Sequence, residues 1–384
     1  MHVLVLNAGS SSLRYQVLDP SSGEALVRGH VERIGEPGAR VTQGDAVDEH
    51  VDVADHAAAL ELMHRLLDDV GGVDVAAIGH RVVHGGPRLT RPVLVDDDVL
   101  AEIDRLTVFA PLHNPAAAEG IRSARASYPG LPQVACFDTA FFADLPPAAR
   151  TYAIDRELAS RHEVRRYGFH GISHEYVAAE AARQLGRTVD DLDQVVLHLG
   201  NGASASAISR GRPVDTSMGL TPVEGLVMGT RPGDLDPGLL PYLQRQAGLD
   251  ADGLDDLLNG RSGLLGLTGH TDFRDLDQAV GEGDGVACAA FEVYVHRLRR
   301  YVGGYLAVLG GADAVTFTAG VGEHNSRVRR AVCEGLEPLG IVLSDERNVA
   351  GEGVISADES RVVVLVVPTN EELAIARKAA ALLD

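Results

Sequence analysis

A turn of small polar residues near the N-terminus has the composition of a phosphate-binding site. The apolar residues 3–6 lead into the turn Asn7-Ala8-Gly9-Ser10-Ser11-Ser12. There, backbone N–H groups and the hydroxyls of Ser10 and Ser12 can face one phosphate. Arg14 would lie on the same strand face as Ser12 and could also reach the phosphates. Glycine- and serine-rich hairpins are also common without a ligand, and the sequence contains no Walker A motif. The turn therefore needs support from other residues.

Two arginines stand beside glycines in a chain whose formal charge is −21. Arg81, in the segment GHRVVHGG of residues 79–86, ends an apolar strand, where burial of a guanidinium requires an anionic partner. Arg231, in the segment GTRPGD of residues 229–234, is expected to be exposed on a Gly/Pro loop. Together the two arginines could clamp the charge of a transferring phosphoryl group and of a carboxylate.

Three acidic residues follow predicted strands. Asp138 comes directly after the apolar segment 133–137, where α/β enzymes place functional groups. Glu371 and Glu372 follow the apolar run 362–367. Acidic residues at that point could complement a helix dipole, which fits Glu372 well. A Mg²⁺ site needs only one carboxylate besides waters and phosphate oxygens, so a single glutamate would suffice.

The histidines lack the spacing of a zinc site. His170 and His174 are four residues apart without the glutamate of the H-E-x-x-H motif, and His113 and His198 stand alone. Each is more often a hydrogen-bonded structural residue than a ligand. As a cation, His170 could stabilise the charge of a transition state.

Strands and helices alternate along the chain and would position these residues. Periodicity predicts strands at residues 2–7, 13–17, 24–32, 76–83 and 133–137, with helices at 56–70 and 114–127. The fold class is therefore α/β. The strand 195–199 runs into a second Asn/Gly/Ser turn at 200–206, which suggests internal duplication with a related hairpin in each half. A third glycine-rich turn is expected at 319–322. Because no low-complexity linker separates the halves, we expect two lobes packed across a cleft.

The composition narrows the class of protein. A length of 384 residues predicts two domains. The longest apolar run is too short to span a bilayer, no signal peptide is visible, and Cys136, Cys288 and Cys333 form no metal or redox motif. We therefore expect buried, reduced thiols and a cytoplasmic location. The negative charge argues against nucleic acid or an anionic membrane as partner.

The motifs occur in a characteristic order. Between residues 3 and 377 the chain contains VLVLNAGSSSLRYQ, GHRVVHGG, FAPLHNP, FDTAFF, RYGFHGISH, HLGNGASA, GLTPVEGLVMGTRPGDLDPG, DFRDLD, FTAGVGEHN and VPTNEELAIAR. This ordered set resembles the acetate kinase (acetokinase) family of the sugar kinase/Hsp70/actin superfamily. The resemblance implies two duplicated ribonuclease H-like lobes of the actin-like ATPase fold with an interlobe cleft. It places one lobe at residues 1–139 plus 371–384 and a nucleotide-binding lobe at 140–370.

The resemblance also implies an activity. It is the reversible, Mg-dependent transfer of the ATP γ-phosphate to acetate, giving acetyl phosphate and ADP, in a cytoplasmic homodimer; Mn²⁺ could substitute for Mg²⁺. The acetate oxygen would attack directly and in line. Because a carboxylate is already ionised at pH 7 and needs no general base, we expect Asp138 mainly to orient an arginine or Mg-bound water.

The resemblance assigns roles residue by residue. Asn7 and Glu371 match the magnesium positions, Arg81 the substrate-binding arginine, Asp138 the catalytic acid or base, and His170 and Arg231 the transition-state stabilisers. The acetate methyl would contact Val83, Leu112, Phe169 and Pro222. The nucleotide-binding positions are Arg14, His198, Leu199, Gly200, Asn201, Gly202, Asp272, Phe273, Arg274, Gly320, Val321, Gly322, Glu323 and His324.

The chain departs from the family pattern at two positions. The family often has lysine at Arg14, which keeps the charge but changes the geometry. It commonly has asparagine at His324, which leaves the contact of this residue and the nucleotide preference open. Two alternatives remain: a kinase for propionate or other short-chain fatty acids, since one methylene is worth only ~1–3 kcal/mol of discrimination, and a regulatory module that binds ATP without carboxylate kinase activity.

Overall fold

The computed structural model describes residues 1–9, 11–71 and 74–383. The chain divides there into two units. The first comprises Met1–Ala143, Phe169–Ser173 and Asn370–Asp384, and the second comprises Asp144–Gly168 and His174–Thr369. No described helix is long and apolar enough to cross a membrane.

An eight-stranded sheet forms the centre of the first unit. Its strands are β1 (His2–Ala8), β2 (Ser12–Leu18), β3 (Ala25–Glu32), β4 (Ala39–Gln43), β5 (Val47–Val51), β6 (Val75–Val82), β7 (Val93–Leu94) and β8 (Gln133–Phe137). They are arranged in the order β5-β4-β3-β2-β1-β6-β8-β7. The strands β1, β6 and β8 run parallel to one another, whereas β1 to β5 form an antiparallel meander. The predicted alternation is confirmed, since Leu13, Tyr15 and Val17 of β2 are all buried.

Three helices, α1 (His56–Val70), α2 (Asp97–Arg105) and α3 (Asn114–Ser127), lie between the strands of the first unit, with a 3₁₀ turn at Leu106–Val108. In α1 the apolar residues at helical spacing face the core, because Leu60, Met63 and Leu67 are buried. The Asp55 side chain caps the start of α1 by accepting from the Ala58 N–H. Both predicted helices of this region, 56–70 and 114–127, are confirmed.

The remaining elements follow in chain order. They are α4 (Pro147–Arg150), α5 (Arg156–Arg161), α6 (Gly171–Gln184), β9 (Asp193–Leu199), β10 (Ala203–Ser209), β11 (Arg212–Thr216), α7 (Leu239–Ala247), α8 (Ala251–Gly260), α9 (Gly263–Thr268), α10 (Phe273–Glu282), α11 (Gly285–Leu309), β12 (Ala314–Thr318), α12 (Ala319–His324), α13 (Ser326–Cys333), α14 (Asp345–Ala350), β13 (Gly353–Val354), β14 (Val363–Val366) and α15 (Glu371–Leu383). Two further 3₁₀ turns lie at Val189–Asp191 and Glu337–Leu339. The last helix, α15, belongs to the first unit, where it packs on β1 and β6.

The second sheet repeats the first. Its order is β11-β10-β9-β12-β14-β13. The hairpin of β9 and β10 continues into β11, and β9, β12 and β14 are parallel, as are β1, β6 and β8. The series β11-β10-β9-β12-β14 therefore matches β3-β2-β1-β6-β8, with one Asn/Gly/Ser hairpin in each sheet. This match confirms the predicted internal duplication.

Two local predictions need correction. The third glycine-rich turn at 319–322 is wrong, because these residues form the short helix α12 directly after β12. The expected burial of the cysteines holds for Cys136 and Cys333, whereas Cys288 is partly exposed. Burial raises the pKa of the Cys333 thiol to about 12, so this thiol stays protonated at neutral pH.

Candidate active site

The carboxyl ends of three parallel strands bring predicted site residues of the first unit together. Asn7 lies near the end of β1, and Arg81 lies at the end of β6, one residue past the last pair, Leu6 with His80. Asp138 follows β8, and its N–H donates to Val82 O at 3.0 Å. These side chains therefore share the sheet edge at which α/β proteins bind ligands. The N-terminus of α15, with Glu371, belongs to the same unit.

Arg81 is held by two carboxylates. Its Nε and Nη2 donate to the two carboxylate oxygens of Asp138 at 3.0 and 2.7 Å, and its Nη1 lies 3.5 Å from Oε2 of Glu371. Asp138 is 1% exposed, whereas the Arg81 side chain keeps 20% of its surface accessible. Burial alone would lower the pKa of Arg81, but Asp138 and Glu371 raise it, and the net effect is a raised pKa. The guanidinium is therefore fixed in direction and permanently charged.

Two carboxylates face one guanidinium in this group, so it carries an excess negative charge. Burial raises the pKa of Glu371, as does the nearby Asp138, while Arg81 opposes the shift. A divalent cation would compensate this charge. Asn7 and Glu371 offer the amide and carboxylate oxygens that Mg²⁺ prefers, and Mg²⁺ needs few protein ligands because it keeps waters and phosphate oxygens. The donor set therefore fits the predicted magnesium position.

The phosphate turn is described except for Ser10, which lies outside the described residues. Gly9 N–H donates to Ser12 O at 2.8 Å and closes the hairpin between β1 and β2. Arg14 is exposed and stands opposite Asn7 in the antiparallel pair. Directly opposed residues of such a pair have side chains on one face of the sheet. Arg14 is therefore on the same face as the proposed metal ligand.

The residues predicted for the acetate pocket differ in burial. Phe169 is buried and packs edge-on against His84, with ring centroids 5.5 Å apart, while Val83 is half-buried. Leu112 is 52% exposed, so within the first unit it does not enclose a pocket. Pro222 is half-buried in the second unit.

His170 has a strained backbone. Its φ of +56° is uncommon for a residue other than glycine, and such strain is found preferentially at functional sites. The next residue begins α6, and Gly171 N–H donates to Asp138 O at 2.8 Å. A Cβ at Gly171 would lie 2.3 Å from Asp138 O, so this approach requires glycine. Asp138 therefore anchors both Arg81, through its side chain, and the segment of His170, through its carbonyl.

The second unit contains a cavity of about 750 Å³. Eight of the predicted nucleotide-binding residues line it: Gly200, Asn201, Asp272, Phe273, Arg274, Gly320, Val321 and His324. The cavity has the size of a small-molecule site. The sequence analysis assigned no nucleotide contact to the other lining residues, namely Met228, Gly229, Leu264, Thr271, Asp277, Gln278, Tyr294 and Asn325. Met228 and Gly229 belong to the segment GLVMG, whose position after the predicted pocket residue Pro222 is the signal that could have found them.

Apart from Arg14, which belongs to the first unit, the other predicted nucleotide positions adjoin the lining residues in the chain. His198 and Leu199 end β9, and Gly202 O accepts from Gly200 N at 3.1 Å to close the turn. Gly322 is buried inside α12. The Glu323 carboxylate accepts hydrogen bonds from the backbone N–H groups of Ala319 at 2.8 Å and Thr369 at 3.1 Å.

His174 has the structural role expected of a lone histidine. Its ring nitrogens lie 2.7 Å from the Ser204 hydroxyl and 2.8 Å from the Ser206 hydroxyl on β10. All three side chains are fully buried. Burial lowers the pKa of His174 well below its usual value, so the ring is neutral at pH 7.

Arg231 is not exposed as the sequence predicted. It is half-buried in the segment between β11 and α7, and its Nη1 donates to Pro222 O at 2.6 Å. Burial lowers the pKa of Arg231. The sequence prediction failed because Gly and Pro indicate a loop but not whether that loop folds back over its own side chains.

Asp234 closes the loop that carries Arg231. Its N–H donates to Gly225 O at 3.0 Å, and its carboxylate accepts from Gly225 N at 2.9 Å and from the Tyr301 hydroxyl at 3.0 Å. Arg297 donates to Gly225 O at 2.6 Å and to Asp234 O at 3.1 Å. Tyr301 and Arg297 both lie on α11. A rigid helix therefore fixes the two ends of the loop around Arg231.

Arg166 holds the other part of this loop. Its Nη1 donates to the carbonyls of Thr216, Ser217 and Met218 at 3.0 to 3.1 Å, and its Nη2 donates to Glu224 at 2.5 Å. One sequence signal pointed to Arg166, namely its place in the segment RYGFHGISH. No sequence signal pointed to the cluster of carbonyl groups that it binds.

Comparisons with known proteins agree with the fold. The family model described as the Acetokinase family matches residues 2–377. An acetate kinase from Leifsonia xyli subsp. xyli (strain CTCB07) is 55% identical over 387 residues, which cover 98% of each chain. The crystal structure of Porphyromonas gingivalis acetate kinase has 42% identity, a TM-score of 0.93 and full coverage of both chains. That of a propionate kinase from Francisella tularensis subsp. tularensis SCHU S4 has 38% identity, a TM-score of 0.96 and 99% coverage of each. The predicted α/β class and actin-like ATPase fold are confirmed.

Proposed function

The chain belongs to the acetokinase family, and from that premise we propose that it is an acetate kinase. It transfers the γ-phosphoryl group of ATP to acetate, reversibly, and forms acetyl phosphate and ADP. The observation that carries the proposal is the setting of Arg81. Asp138 fixes this guanidinium through Nε and Nη2, and a fifth of the Arg81 side chain remains accessible to an anionic substrate. A nucleotide hydrolase has no need of a carboxylate-binding arginine of this kind.

The proposed chemistry is direct in-line transfer. Acetate is ionised at neutral pH, so its oxygen attacks without prior proton removal. Arg81 binds and orients the carboxylate, and Asp138 orients Arg81. Arg231 and His170 stabilise the charge of the transferring group. Val83, Leu112, Phe169 and Pro222 contact the methyl group.

Magnesium is part of the proposal. Asn7 and Glu371 would hold Mg²⁺, or Mn²⁺ in its place, with the remaining ligands supplied by water and phosphate oxygens. When bound, the ion neutralises the charge of the phosphates. Arg14, Ser12 and Ser10 are proposed as phosphate contacts of the same N-terminal hairpin.

The nucleotide is assigned to the cavity of the second unit. The Gly200–Gly202 turn, the start of α10 at Asp272–Arg274 and the residues of α12 line it or stand beside it. The apolar Met228, Leu264 and Tyr294 provide the surface on which a purine can pack. His198, Leu199, Gly322 and Glu323, which adjoin these lining residues in the chain, complete the proposed nucleotide site. We also propose that the protein is a homodimer and that it is located in the cytoplasm.

Propionate is the second candidate acceptor. The structure of a propionate kinase matches this chain with a TM-score of 0.96, and the exposure of Leu112 leaves room at one predicted methyl contact. One methylene changes binding by only ~1–3 kcal/mol. Values of kcat/KM for acetate, propionate and butyrate therefore decide between the two acceptors. The proposal requires acetate to be preferred over propionate.

The first experiment measures ADP release by the purified protein with MgATP, with and without acetate. An acetate kinase releases ADP only with the carboxylate and forms acetyl phosphate, which hydroxylamine traps. Release at the same rate without acetate would identify an ATP-binding module of another kind. A chelator such as EDTA should abolish the acetate-dependent rate if Mg²⁺ is required.

A further inference from the structure

Arg329 is the largest fully buried side chain among the described residues, with 1% exposure. It lies on α13, and each of its nitrogen atoms donates a hydrogen bond. Nε donates to Asn348 Oδ1 at 2.9 Å and Nη2 to Asn348 O at 2.6 Å. Nη1 donates to Gly322 O at 2.9 Å and to Glu323 O at 2.8 Å. The guanidinium is therefore bound by carbonyl oxygens throughout.

This arrangement is costly for stability alone. Among the residues that the structure describes, no aspartate or glutamate pairs with Arg329, although burial of an unpaired charge is expensive. Burial lowers the pKa of Arg329, but arginine remains charged in proteins. A methionine or leucine would fill the same space without this desolvation. The reason for the guanidinium must lie in the groups that it holds.

Arg329 holds the C-terminal end of α12. Gly322 and Glu323 belong to the last turn of this helix, whose carbonyls lack partners within the helix. A cation there also complements the helix dipole. The helix is short, and a helix of this length is unstable by itself. Its first residue, Ala319, has a φ of +63°, which adds strain.

The other end of α12 is held as well, by the Glu323 carboxylate on the Ala319 N–H. Gly320 and Val321, between these two clamps, and His324, directly after the second, form one wall of the cavity. Loss of the contacts at either end of α12 would allow this helix to move at the cavity. The geometry around a bound nucleotide therefore depends on residues that do not touch it.

We propose that Arg329 is a positioning residue for nucleotide binding, which fixes α12 so that Gly320, Val321 and His324 meet the nucleotide. This inference rests on the proposed function, because it takes the cavity as the nucleotide site. Arg329 acts through the backbone of α12. It should affect the nucleotide and leave the carboxylate substrate unaffected.

The test compares Arg329→Met with Arg330→Met. Arg330 is the next residue on α13, is 52% exposed and pairs with Asp345 at 2.9 Å, so its replacement is a matched control. Calorimetric titration with MgADP should show binding weakened at least about tenfold by Arg329→Met, the loss of a charge-assisted hydrogen bond. Binding should change less than about twofold in the control. Arg329→Lys keeps the charge without the fork and should fall between them.

Hydrogen exchange gives a readout independent of activity. Asn325 N–H donates to Val321 O at 3.0 Å, so amides of residues 319–325 should exchange faster in Arg329→Met than in the wild type and in Arg330→Met. If Arg329→Met does not fold, Asn348→Ala removes one acceptor of the guanidinium and should shift exchange and MgADP binding in the same direction. Unchanged exchange and unchanged MgADP affinity in a folded variant overturn the proposal.

Different results would refute the proposed function and the positioning role of Arg329. A wild type that binds no MgADP refutes the proposed function and needs no variant. A wild type that binds MgADP, together with an Arg329→Met variant of equal affinity and a lower melting temperature, refutes only the positioning role. An acetate KM that rises as much as the nucleotide Kd also overturns the positioning role, because the replacement would then disturb the protein beyond α12.

Discussion

Replacement of Asp138 by asparagine separates an orienting carboxylate from a general base. The change keeps the size of the side chain and one carbonyl oxygen but removes the charge. In the structure, both carboxylate oxygens of Asp138 accept from Arg81, and the side chain is almost completely buried. The variant therefore perturbs the contact between residues 138 and 81, and with it the orientation of the Arg81 guanidinium.

The magnitude follows from these two hydrogen bonds. Each bond between charged groups is worth ~1.5–3 kcal/mol, whereas a neutral acceptor contributes ~1 kcal/mol. Asparagine retains one neutral acceptor, and Glu371 still pairs with Nη1 at 3.5 Å, so we expect a net loss of ~2–4 kcal/mol in transition-state stabilisation. This corresponds to a fall in kcat/KM for acetate of about 30- to 1000-fold.

The assay measures ADP formation with saturating MgATP at varied acetate concentration, from pH 6 to 9. An orienting role predicts the same relative loss at every pH, because the attacking carboxylate is ionised throughout. A general base predicts instead that the variant recovers as hydroxide increases. Glu372→Gln is the control, because it changes the charge next to Glu371 in the first turn of α15. Its kcat/KM for acetate should stay within about twofold of the wild type. A kcat/KM for acetate within about threefold of wild type for Asp138→Asn at pH 7 would refute the orienting role.

Three further predictions follow from the same contacts. Arg81→Ala should raise the KM for acetate at least about tenfold, because it removes the ground-state partner of the carboxylate; a large loss of kcat with unchanged KM would contradict this. Tyr301→Phe removes the hydroxyl that binds Asp234, worth ~1 kcal/mol. It should lower kcat about fivefold through the Arg231 loop while calorimetry finds MgADP affinity unchanged; an unaffected kcat would separate the loop from catalysis. Burial lowers the pKa of His80 from 6.5 to about 4, partly opposed by its hydrogen bond to Gln133. The free energy of unfolding should therefore fall by ~3 kcal/mol as pH drops from 6.5 to 4. Urea titrations of His80→Gln at these pH values should show a smaller fall in the free energy of unfolding. The same dependence of this free energy on pH in the two proteins would disprove the contribution of His80.

Much of the fold could be predicted from local sequence. The alternation of Leu13, Tyr15 and Val17 and the helical spacing of Leu60, Met63 and Leu67 are short-range patterns, so each element could be located without its neighbours. The two Asn/Gly/Ser hairpins were visible because their turn chemistry repeats in β1–β2 and β9–β10. Asp138 was found for a similar reason, since a polar residue directly after a buried strand is a recognisable pattern.

The rest depends on contacts between residues far apart in the chain. The Gly-rich segment 319–322 has turn composition, yet it is helical because its helix is held by the Glu323 carboxylate and by Arg329. Arg231 is half-buried because Tyr301 and Arg297 of α11 hold its loop. No pattern in a single segment reports such contacts. The ordered set of motifs indicated these regions, but not which of their residues bind a ligand and which support the backbone.

The docking of α15 has a consequence for biosynthesis. This helix lies tightly against β6, since a Cβ at Gly79 would come within 2.6 Å of the Ile375 side chain. Leu373, Ile375, Ala376 and Ala379 of α15 are buried. At roughly 5–20 residues per second, the ribosome needs tens of seconds to pass from Ala143 to Asn370. During that time the nascent sheet of the first unit exposes the apolar surface that α15 will cover. Chaperone binding to the nascent chain should therefore concentrate on β1 and β6, and Glu371 reaches its place beside Arg81 only when this last helix arrives.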